Sequence, residues 1–143
     1  MLVDANLLIF AYDETSPFHD RAHAWLEQQL SGARRVGIPW PSALAFLRLT
    51  TNPRVATRPL TAGRAWAVVE SWFTSPSAWV PTPATRHREI LGGLVTKLHL
   101  TANLIPDAHL AALAIEHGLE LCSADSDFAR FPDLRWRNPL VAA

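Results

Sequence analysis

The chain has 143 residues, enough for one domain with a sizeable core. Hydrophobic residues make up 49% and the formal net charge is zero, which excludes a disordered polar chain and a strongly basic nucleic-acid coat protein. A single cysteine (Cys122), no apolar run of membrane-spanning length and no leader-like start together predict a cytoplasmic protein.

The opening "MLVDANLLIFAYD" reads as a short strand, Leu2 to Val3, running into Asp4, with Asn6 capping the helical turn that follows. "SPFHDRAHAWLEQQLSG" reads as a helix, with Ser16 as cap, Pro17 in the first turn and Gly32 at the end. Ala22, Trp25, Leu26 and Leu30 give it an apolar stripe at helical spacing. "RRVGIPW" is a second short strand and "PSALAFLRLTT" a mostly apolar helix. After a proline-containing loop, "TAGRAWAVVESWFTS" predicts a helix capped by Thr61, and "AWV" a third strand. "TRHREILGGLVTKLHL" is helical, and its internal Gly92 and Gly93, each about 1 kcal/mol worse than Ala, suggest close packing against a neighbour.

"PDAHLAALAIEHG" has the clearest helical signals: Pro106 at its start, Asp107 in the first turn and Gly118 past its end. "LELC" is the fourth strand, "FARF" a turn of helix and "LRWRN" an edge strand. Short strands alternating with helices predict an α/β fold in which helices cover both faces of a parallel sheet, without internal repeats or a dividing linker.

Open parallel sheets bind ligands at the carboxyl ends of their strands. Asp4 follows the first strand, Asp125 and Asp127 follow the fourth, and Asp107 starts the helix leading into the fourth, so all four are expected on one rim. Each has a plainer explanation taken alone. Asp4 suits a cap, Asp107 suits the positive end of a helix, and Asp125 and Asp127 suit a polar turn. Jointly they suit a hard cation, because clustered carboxylates repel and Mg²⁺ prefers oxygen ligands. The six histidines are scattered, and the chain has no cysteine pair or HExxH helix for zinc.

The segments "LVDANLLIFAYD", "IPWPSALAFLRLTTNPR", "IPDAHLAALAIEHGLEL" and "SADSDFARFPDLRWRNPL" span nearly the whole chain. In that order they resemble the PIN-domain ribonucleases, and most closely the VapC toxins of bacterial toxin–antitoxin pairs. The resemblance implies a three-layer α/β/α sandwich over residues 1–143, and metal-dependent cleavage of RNA. It implies that Asp4, Asp107 and Asp125 hold Mg²⁺ or Mn²⁺, with Asp127 completing the acidic site. It also implies a homodimer and a small antitoxin partner.

The chain departs from that pattern at Ala45, where many relatives carry a glutamate, and the helix around it holds no Asp or Glu in any register. Arg48, the one charge in that helix, is a candidate phosphate contact, with a surface arginine as the alternative reading. Asn6 is a candidate to orient Asp4 or a metal water. Tryptophans are candidates for base stacking, with core or dimer packing as the alternative. Two rivals stand beside the nuclease. One is a non-catalytic RNA- or partner-binding module weakened by Ala45. The other is a small-molecule phosphatase, disfavoured because Asn6 stands where a DxD nucleophile motif needs its second acid.

Overall fold

A computed structural model describes residues 1–141. Strand β1 (Leu2–Val3) sits at the centre of a five-stranded sheet, between β2 (Val36–Gly37) and β4 (Leu121–Cys122). Strands β3 (Ala78–Trp79) and β5 (Trp136–Arg137) form the edges, and every pairing is parallel. The helices are α1 (Ala5–Tyr12), α2 (His19–Leu30), α3 (Trp40–Thr50), α4 (Ala62–Phe73), α5 (His87–Lys97) and α6 (Leu104–His117).

Strand alternation sorts the central residues between two cores. Leu2 pairs with Leu121, and both point into the core built by α5 and α6. Val3 pairs with Cys122, and both point into the opposite core, built by α1 to α4. Leu2, Val3 and Leu121 are fully buried, each contributing roughly 1.5–3 kcal/mol of apolar burial. Two cores on two faces make the three-layer α/β/α sandwich that the sequence predicts.

Several local expectations give way to other residues. Asp4, not Asn6, caps α1: its Oδ1 accepts the Ala5 N–H at 2.7 Å. Asn6 lies inside that helix, and its amide is committed elsewhere. Helix α2 starts at His19, two residues after Pro17, because Ser16 accepts the Phe18 and His19 N–H groups in a separate turn. Helix α6 starts at Leu104, ahead of Pro106, although Asp107 remains in its first turn. A Cβ on Gly92 or Gly93 would meet nothing within 4 Å, so close packing does not explain them. Thr61 caps α4 as expected, through the Arg64 N–H, and Gly118 ends α6 in the left-handed region at φ 64°.

Candidate active site

The carboxyl ends of β1 and β4 lie side by side, and the chain turns there into helical segments. Asp4 extends β1 by one residue, donating its N–H to the Cys122 carbonyl at 3.0 Å, and then caps α1. Ser123 extends β4 in the same way, donating its N–H to the Arg137 carbonyl. Two residues on, Asp125 caps a short 3-10 helix, Ser126–Arg130, by accepting the Asp127 N–H at 2.9 Å. Asp107 comes from the first turn of α6. Three acids thus sit at helix starts, where backbone N–H groups favour negative charge.

Ser123 connects these acids. It is fully buried, and its hydroxyl donates to Asp4 Oδ2 at 2.7 Å while accepting from Asn6 Nδ2 at 3.1 Å and the Asp125 N–H at 3.0 Å. Asn6 Oδ1 accepts the Ala124 N–H at 3.3 Å, so its amide clips α1 to the segment after β4. Another buried serine supports the rim: Ser42, in the first turn of α3, donates to the Val3 carbonyl at 2.7 Å.

One carboxylate oxygen from each of Asp107, Asp125 and Asp127 lies within 4.8 Å of the other two. The pattern of shifted acidities reflects this crowding. Burial, followed by the charges of Asp125, Asp4 and Asp127, pushes Asp107 up to about 6, against a smaller opposing effect of Arg130. Burial also raises Asp4, although the hydrogen bonds from Ser123 and Ala5 oppose it. An all-oxygen set with this charge excess suits a divalent cation.

The sequence-predicted acids therefore converge, with one change of emphasis. The tightest trio contains Asp127 and not Asp4, whose two oxygens are engaged by Ala5 and Ser123. Each oxygen retains a further lone pair, so Asp4 stays available as a neighbouring ligand. Arg130 leans on exposed Asp127, with Nη2 3.3 Å from Oδ1. Arg48 is exposed in the last turn of α3, roughly 12 Å along the helix from Trp40 at its start. Ala45 is half-buried and no other position of α3 supplies a carboxylate.

The PIN domain family model matches residues 1–134. The chain belongs to the PIN domain family. Among its relatives, Ribonuclease VapC37 of Mycobacterium tuberculosis is 46% identical over 138 residues, covering 96% of each chain. Ribonuclease VapC33 of the same organism is 41% identical over 140 residues, covering 98% of each. The fold of this PIN domain is also that of VapBC2 from Rickettsia felis bound to a promoter DNA fragment, with TM-score 0.71, 15% identity and 96% of both chains covered. DNA-bound VapBC from Salmonella typhimurium gives TM-score 0.66 at 18% identity, again over 96% of each chain.

Sequence reasoning expected Asp4, Asp107, Asp125 and Asp127 on one rim, where the structure has them, but it did not anticipate the bond from Ser123 to Asp4 or that from Ser42 to the Val3 carbonyl. The available signal was topological: Ser123 is the first residue after a strand that neighbours the strand carrying Asp4.

Proposed function

We propose that this PIN domain is a metal-dependent endoribonuclease, the toxin half of a toxin–antitoxin pair. The observation that carries the reading is the group Asp107, Asp125 and Asp127, with Asp4 beside it, at the carboxyl edge of the central strands. Relatives that match almost end to end bear the name ribonuclease, and the structural neighbours are toxin–antitoxin complexes. Asp107, Asp125 and Asp127 would hold Mg²⁺, with Mn²⁺ as a substitute and Asp4 completing the shell. A divalent cation bound there activates water and neutralises charge on a phosphate.

The chain's own groups have distinct tasks in this reading. Ser123 fixes the orientation of the Asp4 carboxylate, and Asn6 fixes Ser123. Arg130, held against Asp127, lies ready for a phosphate oxygen next to the acids. Arg48 would meet the RNA strand further along its path, away from the cut. The protein would act in the cytoplasm as a homodimer, silenced by a cognate antitoxin. No helix among the described residues is long and apolar enough to cross a membrane.

One observation favours a second reading, a PIN module that binds RNA or a partner without cutting: α3 supplies no carboxylate, and Ala45 stands where many relatives have glutamate. Cleavage of a cellular RNA pool by the antitoxin-free chain separates the two. The nuclease reading expects discrete cuts with Mg²⁺ or Mn²⁺ that vanish with chelator and in Asp4→Asn. A folded chain that cuts nothing under either metal would favour the binding module.

A further inference from the structure

The acid group does not stand alone on the rim. Beside it opens a cleft of about 460 Å³ that shares Asp125 and Asn6 with the site and is otherwise lined by Phe10, Phe18, Arg21 and Asn138 among others. We infer that this cleft seats one unpaired nucleobase of the RNA, flanking the scissile phosphate, and selects keto bases, guanine or uracil, over amino bases. The inference rests on the ribonuclease reading of the acid site.

The volume falls within the range of small-molecule sites, roughly 300–1,000 Å³. The walls suit a flat aromatic ring. Phe10 and Phe18 lie with centroids 5.1 Å apart and planes tilted by 45°, and Phe18 is 48% exposed. Single-stranded RNA is held by stacking unpaired bases on such side chains. The wall is also braced: His19 Nδ1 lies 2.9 Å from the Phe10 carbonyl and His23 Nδ1 3.3 Å from the Ala11 carbonyl, tying α2 to the end of α1.

The polar lining gives the chemical preference. Asn138 Oδ1 accepts the Leu140 N–H at 3.0 Å, which leaves its NH₂ as a donor. Arg21 Nη1 donates to the Leu140 carbonyl at 3.1 Å, and its other N–H groups are further donors. Asn6 has both ends of its amide engaged within the site. Asp125, the acceptor in the wall, takes the Asp127 N–H on Oδ1 and in the ribonuclease reading turns its carboxylate to the metal, so the lining left to a base is rich in donors, which carbonyl acceptors on a base edge satisfy. The amino group of adenine or cytosine would face donor against donor, and an apolar side chain from a protein partner would leave the donors unmet.

The test uses the full chain freed of antitoxin and made non-cleaving by Asp4→Asn. Fluorescence anisotropy measures its binding of short oligo-U, alternating G–U, oligo-A and oligo-C. Keto-base RNAs should bind about tenfold tighter than oligo-A or oligo-C, in line with one stacked, hydrogen-bonded base. Phe18→Ala and Asn138→Ala should each erase that preference in chains whose thermal melts show them folded. Asn138→Ser keeps an acceptor for the Leu140 N–H should alanine disturb that turn. RNA binding without base preference, or a preference that survives these variants, would overturn the cleft and leave the nuclease reading intact. Variants that weaken antitoxin binding with base preference unchanged would reassign the cleft to the protein partner. A chain with native Asp4 that neither binds nor cuts any RNA would end the ribonuclease reading and this inference with it.

Discussion

Ser123 donates its hydroxyl to Asp4 Oδ2 at 2.7 Å, joining two residues 119 positions apart. The same oxygen accepts from Asn6 and from the Asp125 backbone, so one buried hydroxyl fixes a carboxylate on β1 and the start of the acidic turn after β4. Such supporting groups orient ligand side chains, and their loss typically weakens metal binding or activity by about 10–100-fold.

Ser123→Ala removes three hydrogen bonds from a buried position. It should destabilise the fold by about 1–3 kcal/mol and lower RNA cleavage by about 10–100-fold. Asn6→Ala should affect the same network, so the double variant should lose less than the sum of the singles. Additive losses, from urea melts and single-turnover cleavage, would show that the two residues act separately.

Asp107 is an acid whose folded-state acidity is weakened, from the ordinary 3.8 to about 6, by burial first and by neighbouring carboxylates second. The stability it contributes is fully present below 3.8 and is lost as pH rises through 6. Metal-free Asp107→Asn should therefore match the unsubstituted chain near the acid end of that window and melt higher at neutral pH. Mg²⁺ or Mn²⁺ should raise the melting temperature of the unsubstituted chain at neutral pH and do little for the variant. Scanning fluorimetry with and without chelator reads both effects, and a variant less stable than its parent at neutral pH would contradict the crowding argument.

Gly37 sits in β2 where a Cβ would lie 2.7 Å from Pro81 Cγ and 3.0 Å from the Met1 carbonyl oxygen. That carbonyl is fixed by accepting the Gly37 N–H at 2.9 Å, so it has little room to retreat. Gly37→Ala should cost about 1–3 kcal/mol through overpacking, measured by denaturant unfolding. Gly63→Ala, where a Cβ meets nothing within 4 Å, is the matched control, and it should be neutral or stabilising.

Glu116, on α6, accepts the N–H groups of Ala84 and Arg86 at 2.9 Å each, satisfying donors at the start of α5. Burial pushes its acidity towards weaker values, but these two hydrogen bonds and the nearby His87 and His117 outweigh it and hold the carboxyl below its ordinary 4.5. Its contribution to stability is present above 4.5 and is lost as pH falls through the lower folded value. Glu116→Ala should destabilise the chain at neutral pH, with the gap closing on acidification. A gap that persists in strong acid would point to lost packing instead of lost charge.

The sequence by itself determined the alternation of strands and helices, and therefore a parallel sheet covered on both faces. It also determined that Asp4, Asp107, Asp125 and Asp127 end at one edge, because each follows a strand or starts a helix leading to one. These are local facts, since periodicity, Gly118 after α6 and Thr61 before α4 depend only on near neighbours. Tertiary structure decided the rest, because it depended on distances between remote segments. It gave the cap of α1 to Asp4 and drew Asn6 across to Ser123. It put Asp127 in the tightest carboxylate trio and left Asp4 beside it. It also walled a cleft with Phe18, Arg21 and Asn138. No spacing along the chain marks those residues as neighbours, since the contacts exist only once β1 and β4 lie side by side.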